Sequence, residues 1–146
     1  ELLASLPNLQ IVNVSELGPK LRMESSFSNF HKLEAAIAAV LGPTDDKAAS
    51  NGPVITFYGS NDFHHVALSL IRRFHQPFNL VLFDNHPDWV QLYNGLHCGS
   101  WFNHATELPT CMKAFHMGGQ SCEFSLTELY FQTPWNLLLG YNPKIS

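Results

Sequence analysis

Between Ser28 and Leu41 the apolar residues Phe30, Leu33, Ile37, Val40 and Leu41 recur at helical spacing. Gly42 and Pro43 follow directly, as a helix stop should, so the pattern predicts a helix over 28–41. "LQIVNV" (9–14) before it reads as a short strand, broken off by Gly18 and Pro19. "PTDDKAASNG" (43–52) is small, polar and turn-rich, and reads as a surface loop. "VITFY" (54–58) is β-branched and aromatic, which predicts a buried strand. "GSNDF" is then a turn, and "HHVALSLIRRF" (64–74) spaces Val66, Leu70, Ile71 and Phe74 as a helix, with Asp62 placed to cap it.

"NLVLFD" (79–84) is a continuous apolar run, the habit of a strand buried on both faces of a parallel sheet. A strand, a helix and a strand within about 30 residues make a βαβ unit. Further on, "SWFNHATEL" (100–108) is expected to be a helix and "MKAFHMG" (112–118) a third buried strand. The last stretch, from "SLTELYF" onward, is apolar and aromatic without a clear period. The expected fold is α/β, a three-layer αβα sandwich with a mainly parallel sheet. Residues 1–146 form either a single α/β domain or the N-terminal part of a larger one.

Composition narrows the function classes. Apolar residues make up 45% of the 146, enough for a core. The net charge is -4, with 8 Lys and Arg against 12 Asp and Glu and no basic stripe, which argues against nucleic acid as a partner. No apolar run is long enough to span a membrane, and no polybasic segment suits a membrane surface. Cys98, Cys111 and Cys122 are odd in number and form no CxxC, which points to a reducing, cytoplasmic compartment. The chain opens on Glu1 without a basic start, so a piece of a longer protein is expected. A small-molecule substrate is the expected partner, and a homo-oligomer is left open.

Eight histidines are the unusual entry in this composition. The chemistry concentrates after the central strand, in "LVLFDNHPDWVQLYNGLHCGSW". Asp84, His86 and Asp88 follow one another at steps of two, and Pro87 biases His86 toward extended backbone, where such residues share a side. Two carboxylates and an imidazole suit a divalent ion such as Mn²⁺, Mg²⁺ or Zn²⁺. His64 and His65 stand at the same sheet edge, where ligands of open α/β sheets gather. The plainer alternative is a solvated turn with its aspartates capping helices. His97 beside Cys98 could be read as a base and a thiol nucleophile, but an inert Cys98 is the better expectation. His31 is assigned to a polar helix face, His75 to a turn and His116 to a satisfied place in a strand. Trp89, Trp101 and Trp135 are assigned to packing or pocket walls.

In order, "YGSNDFHHVAL", "LVLFDNHPDW", "LHCGSW" and "FHMGGQ" resemble the first half of the arginase, agmatinase and histone-deacetylase superfamily, over about residues 54 to 120. The resemblance implies an arginase-like fold and hydrolysis of C–N bonds in guanidino, amidino or amide substrates. It implies a centre of two ions, usually Mn²⁺ with Zn²⁺ as the alternative, that activates a hydroxide. By the same resemblance, Asp84 would bridge both ions, Asp88 and His64 would hold one, and His86 the other, with His65 in reserve for His64. His97 would act near the substrate as a proton shuttle or contact. The superfamily completes its site with a later Asp-x-Asp pair, whereas no Asp follows Asp88 here. Two other expectations therefore stand beside it: a non-catalytic, truncated or degenerate domain kept for binding, and a dinuclear metallophosphoesterase.

Overall fold

The computed structural model describes residues 8–42, 54–92 and 94–118. Among them the chain is a mixed α/β structure with one antiparallel and one parallel pair of strands. The elements run α1 (Gly18–Leu21), β1 (Glu24–Ser25), α2 (Phe27–Leu41), α3 (Val66–Ile71), β2 (Phe78–Phe83), β3 (Leu96–His97), α4 (Trp101–Thr106) and β4 (Cys111–Met117). A single 3-10 turn, Asn61–Phe63, precedes α3.

Helix α2 forms where the apolar stripe predicts it. Ser26 caps its start, its hydroxyl accepting from the Asn29 N–H at 3.3 Å. Gly42 ends it with φ 73°, a conformation that costs glycine nothing, while its N–H returns to the Ala38 carbonyl. Phe30, Leu33 and Ile37 are buried at steps of three and four. They meet Leu21 of α1, Val66 and Leu68 of α3, Leu96 of β3, Trp101, Phe102 and Ala105 of α4, and Ala114 of β4 in one core. Each large side chain hidden this way contributes about 1.5–3 kcal/mol of transfer free energy before entropy is charged.

Strand β2 runs parallel to β4, with Asn79 opposite Lys113 and Phe83 opposite Met117. An irregularity after Phe78, which pairs with Cys111, shifts the register by one residue. The crossover between these strands carries β3 and α4, so the parallel connection lies here. The expected βαβ unit was one strand earlier. Residues 54–58 are described without strand pairing, and Val54, Ile55 and Phe57 are exposed. A β-propensity run becomes a strand only when a neighbouring backbone takes its hydrogen bonds, and no described strand does so.

Other expectations change for related reasons. Strand β2 alternates between half-buried and exposed residues, with Phe83 76% exposed, instead of being covered on both sides. Among the described residues its inner side packs on the core and its outer side is bare. Residues 9–14 form no strand; Val12 and Val14 merely lean on the core. The first strand among the described residues is instead β1, whose two residues pair antiparallel with β3, Glu24 opposite His97 and Ser25 opposite Leu96. Helix α3 covers six residues, Val66–Ile71, and Asp62 does not cap it: that carboxylate pairs with Arg22 Nε at 2.8 Å. The expected loop at 43–52 and the apolar stretch from Ser125 onward lie outside the described residues. No described helix is long and apolar enough to cross a membrane.

Candidate metal centre

Three elements deliver the central residues. The 3-10 turn at Asn61–Phe63 ends on His64, immediately before α3. The β2–β4 ladder continues one step beyond β2, where the Asp84 N–H donates to the Met117 carbonyl at 3.2 Å, so Asp84 sits at the carboxyl end of the strand. The chain then bends at Asn85 and His86 and reaches Asp88, whose φ of 53° is left-handed. Aspartate tolerates that region better than most residues.

His64 Nδ1 lies 3.0 Å from Asp84 Oδ2 and 3.1 Å from Asp88 Oδ2. Only the Asp88 contact has hydrogen-bond geometry. Asp84 Oδ2 is buried and left without a hydrogen-bond partner. One ligand atom from each of the three residues falls within 4.8 Å of the others. These residues fit a divalent ion: two carboxylates and one imidazole nitrogen converge, the negative groups outnumber the positive, and a buried carboxylate oxygen lacks the partner that its desolvation demands.

The other residues singled out in the sequence stand around this trio. His86 is exposed; its backbone N–H donates to Asp84 Oδ1 at 3.2 Å, and its ring lines the adjoining pocket without joining the cluster. The bend and the left-handed Asp88 break the extended geometry that the steps of two require, so Asp84 and Asp88 meet at His64 while His86 stays outside the cluster. His65 is fully buried and stands outside the trio, and neither ring nitrogen makes a hydrogen bond of good geometry. Burial first, then the neighbouring His97, lowers its pKa to about 4; the Leu21 backbone opposes this and His64 adds to it.

The pocket beside the trio measures about 290 Å³ and is lined by His64, His86, Asp88, Trp89, His97 and Cys98 among others. That is at the small end for ligand sites and suits a small molecule. His97 enters it from the end of β3. Its Nδ1 accepts the Gly99 N–H at 3.0 Å, so the neutral ring carries its proton on Nε2. Cys98 Sγ stands 3.6 Å from the same nitrogen, closer than its place as the next residue in the chain suggested. Burial, followed by the Asp88 charge, pushes the Cys98 thiol pKa up, which favours the thiol over the thiolate.

Two residues near the trio escaped the sequence reading. Trp101, assigned there to packing, donates its indole N–H to Asp88 Oδ2 at 2.6 Å. Tyr58 has its pKa raised by burial and then by the charges of Asp88 and Asp84, which puts its phenol in the field of both carboxylates. Its position just before Gly59, at the end of an apolar run, was the only available sign. The Asp88 carboxyl itself has a raised pKa, because burial outweighs the hydrogen bonds from Trp101 and His64. Two remaining histidines have structural partners: His116 Nε2 meets the Asp84 carbonyl at 2.9 Å, and His31 meets Glu34 at 2.8 Å.

No family model matches the chain, and no solved structure matches it. A protein of Thermotoga maritima, described as uncharacterized, is 30% identical over 146 residues, covering 94% of this chain. The chain spans 60% of that relative's length.

Proposed function

We propose that the trio of His64, Asp84 and Asp88 binds a divalent metal ion and that the chain is part of a metal-dependent hydrolase of C–N bonds, with an arginase-like, three-layer fold. The observation that carries the metal is the bare, buried Oδ2 of Asp84 facing His64 Nδ1 at 3.0 Å. A cation between these groups would give Asp84 Oδ2 the partner it lacks. The substrate class rests on the resemblance of the surrounding motifs, with Mn²⁺ as the expected metal.

A bound divalent ion would supply Lewis acidity and make a water molecule acidic at neutral pH. The chain's own groups then divide the remaining work. Asp84 and Asp88 hold negative charge where a cation is wanted. His97 lines the pocket, and with Nδ1 taken up by the Gly99 amide its Nε2–H is a hydrogen-bond donor available to a substrate. His86, at the pocket wall, is the group available to a second ion. Trp89, Pro87 and Val90 give the pocket apolar walls against which a small substrate could pack.

The test is metal binding followed by turnover. Calorimetric titration with Mn²⁺ should show a site that Asp84→Asn abolishes. The Mn²⁺-loaded protein should then release ammonia or urea from members of a panel of guanidino, amidino and amide compounds. Phosphate release from a generic ester alone would support a phosphoesterase instead. Tight metal binding with no turnover would leave a binding module. No metal binding at all would refute the proposal.

A further inference from the structure

We propose that Trp101 is a positioning residue of this centre, its indole N–H holding the Asp88 carboxylate in the one orientation that faces His64 and Asp84. The inference rests on the metal reading above and extends it to a residue with no ligand chemistry of its own.

The geometry is specific. Trp101 Nε1 lies 2.6 Å from Asp88 Oδ2, a short contact of the kind made to a charged acceptor, and both side chains are buried. Asp88 needs such support. Its backbone is left-handed, a conformation that persists in a non-glycine residue only when the surroundings impose it. Helix α4 and the Gly99 turn before it hold this segment at three points. The Phe102 N–H donates to the Asp88 carbonyl at 3.0 Å, the Val90 N–H donates to the Gly99 carbonyl at 2.9 Å, and the Trp101 indole takes the carboxylate. The start of α4 and the loop from Asp88 to Val90 are thereby one unit.

Packing alone would not call for an indole here. Trp101 sits edge-on to Phe102 in the core, at a ring separation of 5.8 Å, and phenylalanine would supply most of that contact. What phenylalanine lacks is the N–H. The indole N–H donates only, never coordinates a metal and does not titrate in the ordinary range, so it holds the carboxylate without competing for the ion. Groups that orient metal ligands from behind commonly change metal affinity by about 10–100-fold when removed.

The experiment compares Mn²⁺ binding by calorimetry in the unaltered chain, in Trp101→Phe and in Ser26→Ala. Ser26→Ala removes the cap of α2, outside the buried core that holds Trp101, and serves as the control for general loosening. Trp101→Phe should weaken Mn²⁺ by about 10–100-fold, while Ser26→Ala lowers the thermal midpoint and leaves the affinity within about twofold of the unaltered chain. A second reading needs no substitution: the Trp101 indole N–H resonance should be protected from exchange and should move when Zn²⁺ is added. If the unaltered chain binds no Mn²⁺, the metal reading fails and this inference falls with it. If the unaltered chain binds Mn²⁺ and Trp101→Phe binds it equally well, or the indole resonance is unprotected and indifferent to Zn²⁺, the role of Trp101 alone is refuted.

Discussion

The burial of His65 should make the fold sensitive to mild acid. It is fully buried, its two ring nitrogens make no hydrogen bond of good geometry, and its pKa falls from 6.5 to about 4. The unfolded chain therefore binds a proton at this residue more readily than the folded chain. By linkage, the stability that neutral His65 contributes is present above the unfolded pKa and is lost as pH falls from about 6.5 toward 4. With those two values the loss is small at pH 7, about 2 kcal/mol at pH 5 and about 3 kcal/mol at pH 4. That is a large share of the 5–15 kcal/mol typical of a domain.

The perturbation is His65→Leu, which fills a similar volume and carries no unsatisfied polar atom. At pH 7 the variant should lie within about 1 kcal/mol of the unaltered protein, on either side. At pH 5 it should have gained roughly 2 kcal/mol relative to the unaltered protein, because only the latter must take up the proton to unfold. Guanidinium melts of both proteins at half-unit steps from pH 7 to pH 5 measure this directly. Other titrations are common to both proteins and cancel in the difference, apart from coupling to His64 and His97. A stability difference that stays flat across that range would refute the reasoning.

Two further predictions concern backbone and caps. Gly118 has φ 125°, and a Cβ there would overlap the Asp84 carbonyl oxygen and stand 3.1 Å from its carbon, so Gly118→Ala should cost about 2–3 kcal/mol in a denaturant melt and weaken Mn²⁺ binding by displacing Asp84. Ser26→Ala removes the hydroxyl that accepts the Asn29 N–H at the start of α2; it should cost about 1 kcal/mol and leave Mn²⁺ affinity unchanged, measured on the same preparations.

Sequence by itself determined the parts whose partners are close in the chain. The stripe of Phe30, Leu33 and Ile37 with Gly42 behind it is enough to place α2, since a helix satisfies its own backbone and needs only one apolar face. It also marked Asp84, Asp88 and His64 as residues worth watching, because they follow apolar runs at one sheet edge. What it could not decide was anything that depends on a second segment. The run 54–58 has strand composition, yet pairing requires a neighbour, and among the described residues none pairs with it. The extended geometry expected of Asp84, His86 and Asp88 assumed that local preference prevails. Hydrogen bonds from α4, more than ten residues further on, instead hold Asp88 left-handed, and the trio closes on His64 from the turn before α3 rather than on His86. Trp101 became part of the site for the same reason: its N–H meets a carboxylate thirteen residues away, a distance that only the tertiary fold brings to 2.6 Å.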